Sequence, residues 1–275
     1  MRHRNPFNVV AVAPLALSLL VGCGSMPSPP PPTATPMPGP VTVRVESDGQ
    51  GDYTTLEEAV QGIPAGSRVE LGPGMHRLEN PLRIDKAVNL LGAGKDETEV
   101  AGQGLAYLIL FVGDGPFFAK GITFFNDGSG GAKTVVVEGG QVGISGCRFT
   151  GGKEAHLSLE AVTMGVVEAS VVEGGASAAG ILVKDQARPE IKGNDCSRNG
   201  YGILVSDSAQ PTLTGNHCRD NLFDGIKFED RAGGAARKNE ASGNRSGIAV
   251  VGEAQPTLED NVLFQNSSGG IGYYD

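Results

Sequence analysis

ARPEIKGNDCSRNGYGILVSDS (residues 187–208) runs directly into AQPTLTGNHCRDNLFDGIKFEDR (209–231), AGGAARKNEASGNRSGIAVVGE (232–253) and AQPTLEDNVLFQNSSGGIGYYD (254–275). The four segments begin at Ala187, Ala209, Ala232 and Ala254, spaced 22, 23 and 22. Asn194, Asn216, Asn239 and Asn261 form a second aligned column, and Asn199, Asn221, Asn244 and Asn266 a third. Ile181, Ile203, Ile226, Ile248 and Ile271, each after a Gly, form a fourth. A fixed period of this length marks stacked supersecondary units. Each unit holds only short β-type runs, such as Ile203-Leu204-Val205, between Asn, Gly and Asp turns. That leaves no room for the helix of a leucine-rich or ankyrin unit. Three short strands and three turns do fit, and stacking at about 4.8 Å pairs every strand with its copies above and below. The expected fold is therefore all-β, a single-stranded right-handed parallel β-helix.

Strand alternation assigns the columns their roles. The Ile column and Val183/Val205/Phe228/Val250/Tyr273 point inward. Asn suits the recurrent bends because it tolerates left-handed backbone, and stacked amides can hydrogen-bond along the pile. Cys196 and Cys218 share a column with Phe149, Val172, Ala241 and Leu263, so both are expected to be buried as small hydrophobes.

Upstream the repeat loosens. Gly146–Phe149 matches Ala169–Val172 at an offset of 23, and the runs Val69–Leu71, Val88–Leu91, Leu105–Val112 and Thr134–Val137 extend the stack. From Arg68 to the end this gives about nine coils. Thr54-Thr-Leu-Glu57 reads as a capping box, with Leu56, Ala59, Val60 and Ile63 at helical spacing. A short helix over residues 54–62 is expected to cover the first coil. Nothing equivalent follows Ile271, leaving Tyr273 and Tyr274, or a partner, to close the last one.

The N-terminus reads as an address. Arg2, His3 and Arg4 precede an apolar run over 9–21, which is too short to span a bilayer and fits a signal peptide over 1–22. Leu20-Val21-Gly22-Cys23 resembles a bacterial lipobox, which implies lipidation of Cys23 and a membrane partner. Residues 26–40 carry eight prolines, and 23–40 read as a lipidated tether of roughly 45 Å in polyproline II form. The remaining 41–275 form the β-helix domain, exported and held at the cell envelope, on the outer membrane or cell surface.

The chain has 22 basic and 31 acidic residues, and removing 1–22 takes two Arg and leaves a net −11. That balance excludes nucleic acid as an expected partner. Cys147, Cys196 and Cys218 include no C-x-x-C pair, and His3, His76, His156 and His217 are scattered, so no metal is confidently assigned.

The segment Asp48-Gly-Gln-Gly-Asp-Tyr-Thr-Thr-Leu-Glu-Glu-Ala-Val, with Leu71-Gly-Pro-Gly, Ile84–Gly94, Phe117–Asn126 and Gly146-Cys-Arg-Phe, resembles the pectin methylesterases over about residues 44–180. The resemblance implies an Asp nucleophile, an Asp acid/base and oxyanion-stabilising glutamines. At the matching positions this chain carries Lys133 for a Gln, Lys153 and Glu154 for Gln-Asp, and Ser177 for the nucleophile. With His156 these form a degenerate esterase-like cleft without catalytic residues, more a solvated face than a subsite.

One further column stands out. Asp185, Asp207 and Asp230 are spaced 22 and 23. They are read as turn residues that cap backbone N–H groups, and the alternative is a Ca²⁺ or cation-bridged sugar site. No Trp is present, and Tyr201 is expected to be an ordinary turn aromatic. The leading function is a non-catalytic envelope lipoprotein that binds polysaccharide or another surface component. A polysaccharide lyase, hydrolase or degenerate pectinesterase-like enzyme and a structural or adhesive spacer are the alternatives.

Overall fold

The computed structural model describes residues 39–275 except 114, 128–131 and 176. The signal peptide, Cys23 and nearly all of the Pro-rich tether lie outside the described residues. The whole repeat lies within one compact unit.

Three parallel sheets run the length of the repeat. The first has ten strands, from Thr42–Val45 to Thr257–Glu259. The second has nine, from Gly74–Leu78 to Val262–Phe264, and the third nine, from Leu82–Ile84 to Gly269–Tyr274. The chain visits the sheets in rotation, which is a parallel β-helix. From Ser67–Leu71 onward each sheet holds nine strands, the nine coils expected from Arg68, and Thr42–Val45 pairs with Ser67–Leu71 to add a tenth strand to the first sheet. Its outward Arg44 and weak alternation hid it from a search for the later motif.

The inward columns are continuous. Leu82, Ile109, Val135, Leu157, Ile181, Ile203, Ile226, Ile248 and Ile271 stand in register through the third sheet. The second-sheet column runs Phe124, Phe149, Val172, Cys196, Cys218, Ala241 and Leu263, with Phe124 and Phe149 stacked at 5.3 Å. Both cysteines of that column are free and buried, as is Cys147.

The Asn columns hold the turns together, but not by adopting the left-handed backbone themselves. The residue before each Asn does so: Gly193, Gly215, Lys238 and Asp260 ahead of one column, Arg198, Asp220, Gly243 and Gln265 ahead of the other. That bend aims the Asn side chain inward. Asn194 Nδ2 donates to Asn216 Oδ1 at 3.0 Å, Asn216 to Asn239 at 3.0 Å, and Asn239 to Asn261 at 3.0 Å. The second ladder repeats the bond from Asn221 to Asn244 and from Asn244 to Asn266. The Gly before Ile203 and Ile226 is fixed first by the next coil's carbonyl, and then by these amides. A Cβ at Gly202 would collide with the Gly225 carbonyl oxygen, and one at Gly225 would lie 2.7 Å from that of Gly247. A Cβ at Gly202 would lie 3.0 Å from Asn221 Nδ2, and one at Gly225 2.9 Å from Asn244 Nδ2.

The N-terminal helix covers Leu56–Gly62, with Leu56, Ala59 and Val60 buried. Its cap is one residue later than Thr54: Thr55 Oγ1 accepts from the Glu58 N–H at 3.2 Å, and Thr54 donates to the Glu58 carboxylate. Two adjacent threonines and two adjacent glutamates allow either register, and burial of Leu56 selects the second.

The other end is uncovered. Ile271 is 46% exposed and Tyr273 73%, although their column mates in earlier coils are buried. Tyr273 and Tyr274 therefore do not close the last coil. Tyr274 turns outward instead, lies over Gly272 and meets Ser246 Oγ at 3.2 Å.

Candidate functional site

The outward face of the third sheet gathers most of the chemistry. Lys133 opens the strand Lys133–Glu138 in register with Ala155 of the strand Ala155–Glu160. Its ammonium reaches Glu160 Oε1 at 2.6 Å and Glu154 at 3.2 Å. Lys184, one coil on, reaches Glu160 Oε2 at 3.1 Å, and Ser158 donates to Oε1 at 2.6 Å. Burial by itself would raise the Glu160 carboxyl, but the Lys133 and Ser158 hydrogen bonds and the two ammonium charges outweigh it and hold the group below its ordinary value. A carboxylate saturated by three donors is a poor proton acceptor.

Glu160, Ser158 and Lys184 were not among the sequence-derived candidates. Alternation through Ala155-His-Leu-Ser-Leu-Glu160 carries the signal, since it turns Ser158 and Glu160 outward together.

The expected esterase-like cleft separates into three places. Lys133 and Glu154 belong to the Glu160 cluster. Lys153 and Ser177 line a shallow pocket of about 310 Å³ with Gly152, Gly174, Gly175 and Ala178. His156 is not in a cleft at all; it is fully buried. Its Nδ1 accepts from the Gly152 N–H at 3.1 Å, so the ring proton sits on Nε2, facing Asn199 at the head of the second Asn ladder. Burial pushes its pKa down to about 4, against a partial opposing contribution from Asn199. His156 occupies the column that Gly180 and Gly202 fill in later coils, and its ring takes the space where the ladder has no further amide.

Asp185, Asp207 and Asp230 are stacked as their spacing predicts, all in left-handed backbone. Each carboxylate caps the coil before it. Asp185 Oδ2 accepts from the Ala161 N–H at 2.8 Å, Asp207 from Asp185 at 3.2 Å, and Asp230 from Asp207 at 3.1 Å. Among the described residues no group of three or more His, Cys, Asp or Glu side chains is arranged to hold a metal ion.

A further cluster is centred on Tyr201. Its ring packs against Phe223 at 5.1 Å between centroids, tilted by 34°. Lys227 Nζ lies 5.2 Å from the Tyr201 centroid, and the Arg245 guanidinium 5.7 Å from that of Phe223. Lys227 pairs with Glu229 at 2.5 Å and Arg245 with the fully buried Asp224 at 3.2 Å. Burial tends to lower the Lys227 ammonium, but Glu229 outweighs it and holds the group above its ordinary value. Leu222 extends the apolar edge and is 59% exposed. This is not the ordinary turn aromatic expected for Tyr201. The signal was a large apolar pair in a lengthened turn. The Gly column steps 22, 23, 22 and 23 residues from Gly180 to Gly270. Of the two long steps only Gly202 to Gly225 adds large apolar side chains, in Leu222-Phe223-Asp224 between Asn221 and Gly225. The other adds a residue within Ser267-Ser268-Gly269.

A second concavity, about 570 Å³, lies on the outward face of the second sheet between Met75, Phe125 and the turn Lys95-Asp96-Glu97. Arg148 crosses it to Asp96 at 2.7 Å. The Arg148 hydrogen bond, with a second from Lys95, holds the Asp96 carboxyl below its ordinary value.

Among the described residues no helix is long and apolar enough to cross a membrane. Residues 130–275 match the family model described as "Right handed beta helix region". No curated protein matches the chain in sequence. Solved structures share its fold at low identity. The pectate lyase Pel9A superposes with a TM-score of 0.62 at 15% identity, over 85% of this chain and 74% of the lyase. The pectin methylesterase from carrot gives 0.54 at 16%, over 88% and 83%. That from Aspergillus niger gives 0.52 at 16%, over 83% and 86%. These likenesses are of fold.

Proposed function

The chain belongs to the right-handed β-helix family, and on that premise we propose that it is an exported lipoprotein, anchored through Cys23, that binds a polysaccharide or another cell-envelope component without cleaving it. The observation that carries this reading is the Tyr201–Phe223 pair with Leu222, an apolar and partly exposed platform where the strand Tyr201–Val205 meets the bend of the next coil. Sugar rings have apolar CH faces and polar rims, and an aromatic surface edged by donors complements both. The strand that carries Tyr201 is paired on both sides, so little ordering of that ring is needed on binding.

Three features favour retention over cleavage. The Glu160 carboxylate is occupied by Lys133, Lys184 and Ser158. His156 is buried and its Nδ1 is engaged. Ser177 stands where the pectin methylesterase pattern has a nucleophilic Asp, and among the described residues no hydrogen bond joins its hydroxyl to a base. The lipobox-like Leu20-Val21-Gly22-Cys23 and the prolines of 26–40 support presentation at a membrane surface.

The test is a panel of plant, algal and envelope polysaccharides assayed with the full chain for both retention and release of reducing or unsaturated ends. Retention with no released ends is the expected result. Released ends would replace this reading with the lyase or hydrolase one, and no retention anywhere would favour the spacer. Incorporation of labelled lipid that disappears in Cys23→Ser tests the anchor separately.

A further inference from the structure

We infer that the glycan taken by the Tyr201 platform is uncharged, an inference that rests on the polysaccharide-binding reading above. The charged side chains beside the platform are already paired within the protein. Lys227 is held by Glu229 at 2.5 Å, and Arg245 by Asp224 at 3.2 Å. Further along the same face, Lys133 is held by Glu154 and Glu160 and Lys184 by Glu160.

A polyuronate or sulfated glycan would need cations to neutralise it, and here each cation has a partner to lose. The loss is greatest at Asp224, whose side chain is fully buried. Drawing Arg245 away to a ligand carboxylate would leave a buried anion without compensation, which is strongly unfavourable. At longer range the chain carries a net −9, so a polyanion is repelled before it arrives.

Hydroxyl groups make no such demand. An ammonium has three N–H donors and a guanidinium five. Lys227 and Arg245 can keep their carboxylates and still donate to sugar oxygens beside the rings. Glu229 remains partly exposed as an acceptor. Neutral ion pairs around an apolar centre therefore match a ligand with CH faces and hydroxyl rims and no net charge.

Neither aromatic ring is required by the fold, which makes the site testable. Tyr201 stands in an outward column that is Ala179 in the coil before it. Phe223 lies in the turn that carries the extra residue of the Gly202 to Gly225 step.

The experiment measures retention of the full chain, in detergent, on neutral β- and α-glucans and on polygalacturonate and alginate at low and high salt. Tyr201→Ala and Phe223→Ala are run beside it, with far-UV circular dichroism confirming that both variants fold. The expected result is retention on a neutral glucan that is insensitive to salt and roughly tenfold weaker in either variant, the size expected for losing one aromatic contact. Retention on a polyuronate that falls with salt would overturn the uncharged-ligand inference and leave the polysaccharide reading standing. Retention of a neutral glucan that both folded variants preserve would remove it from this platform. Failure on every glycan would overturn both.

Discussion

Asn216→Ala tests the claim that the Asn ladders hold the solenoid's turns. Asn216 Oδ1 accepts from the Asn194 N–H at 3.1 Å and from Asn194 Nδ2 at 3.0 Å. Its Nδ2 donates to the Ile191 carbonyl at 2.8 Å and to Asn239 Oδ1 at 3.0 Å. Alanine removes all four bonds, but not all four partners suffer equally. Asn194 Nδ2 keeps the Val167 carbonyl, and Asn239 Oδ1 keeps the Asn216 backbone N–H. The Asn194 N–H and the Ile191 carbonyl lose these partners in a dry interior. At about 1–3 kcal/mol for each buried group left unsatisfied, the expected loss is about 4 kcal/mol.

Asn261→Ala is the matched control. It removes the same bonds to Asn239 and Ala236, but in the uncovered last coil, where water can replace them. There about 1 kcal/mol is expected. Urea unfolding followed by far-UV circular dichroism measures both, and suits a chain that has no Trp. Equal midpoints for the two variants would refute the claim that buried amide satisfaction, rather than turn propensity alone, maintains the repeat.

Three other outcomes are expected. His156 has its pKa pushed down to about 4 by burial, against 6.5 for the free ring. The unfolded chain therefore takes up a proton between those values while the folded one does not, and stability falls by about 3 kcal/mol as pH drops from about 6.5 to 4; His156→Gln should lose that slope in pH-dependent unfolding, and parallel curves would contradict it. Ile226→Ala should destabilise by about 2–5 kcal/mol and Ile271→Ala by less than about 1, since the same column is sealed at one position and 46% exposed at the other; comparable thermal shifts would mean that the last coil is covered in solution. Because the Asp185, Asp207 and Asp230 carboxylates already cap backbone N–H groups, millimolar Ca²⁺ should leave the thermal midpoint unchanged, and a rise of several degrees would restore the cation site.

The architecture was legible because a solenoid writes the same physical requirement at each coil. Inward Ile, turn Asn and the Gly beneath each amide recur at 22 or 23 residues, so four imperfect copies suffice. The first strand, Thr42–Val45, was not legible because it lies outside the regular array and shares none of its motifs. The left-handed positions were misassigned for a related reason. Asn tolerates that conformation, but at these turns its inward amide bonds are worth more, and the residue before it takes the bend at Gly193, Lys238 or Arg198 alike.

The site follows the opposite logic. A repeated position is explained by stacking, so whatever departs from the repeat needs another reason to be there. His156 departs from a Gly column and ends the second Asn ladder. Glu160 faces outward as the alternation requires but departs from a solvated position, being buried beneath Lys133 and Lys184 from the coils on either side. The insertion at Leu222-Phe223-Asp224 departs from the 22-residue step, as does the one within Ser267-Ser268-Gly269, but it places an apolar surface in solvent with paired charges at its rim. The second is satisfied internally by neutralised charge, and the first in part, by the buried bond from the Gly152 N–H to His156 Nδ1, with no partner for Nε2 among the described residues. The third is not, because Leu222 and the exposed parts of the two rings have nothing to pack against within the coil. Surface that a rigid repeat goes out of step to expose is where a ligand has the most to gain.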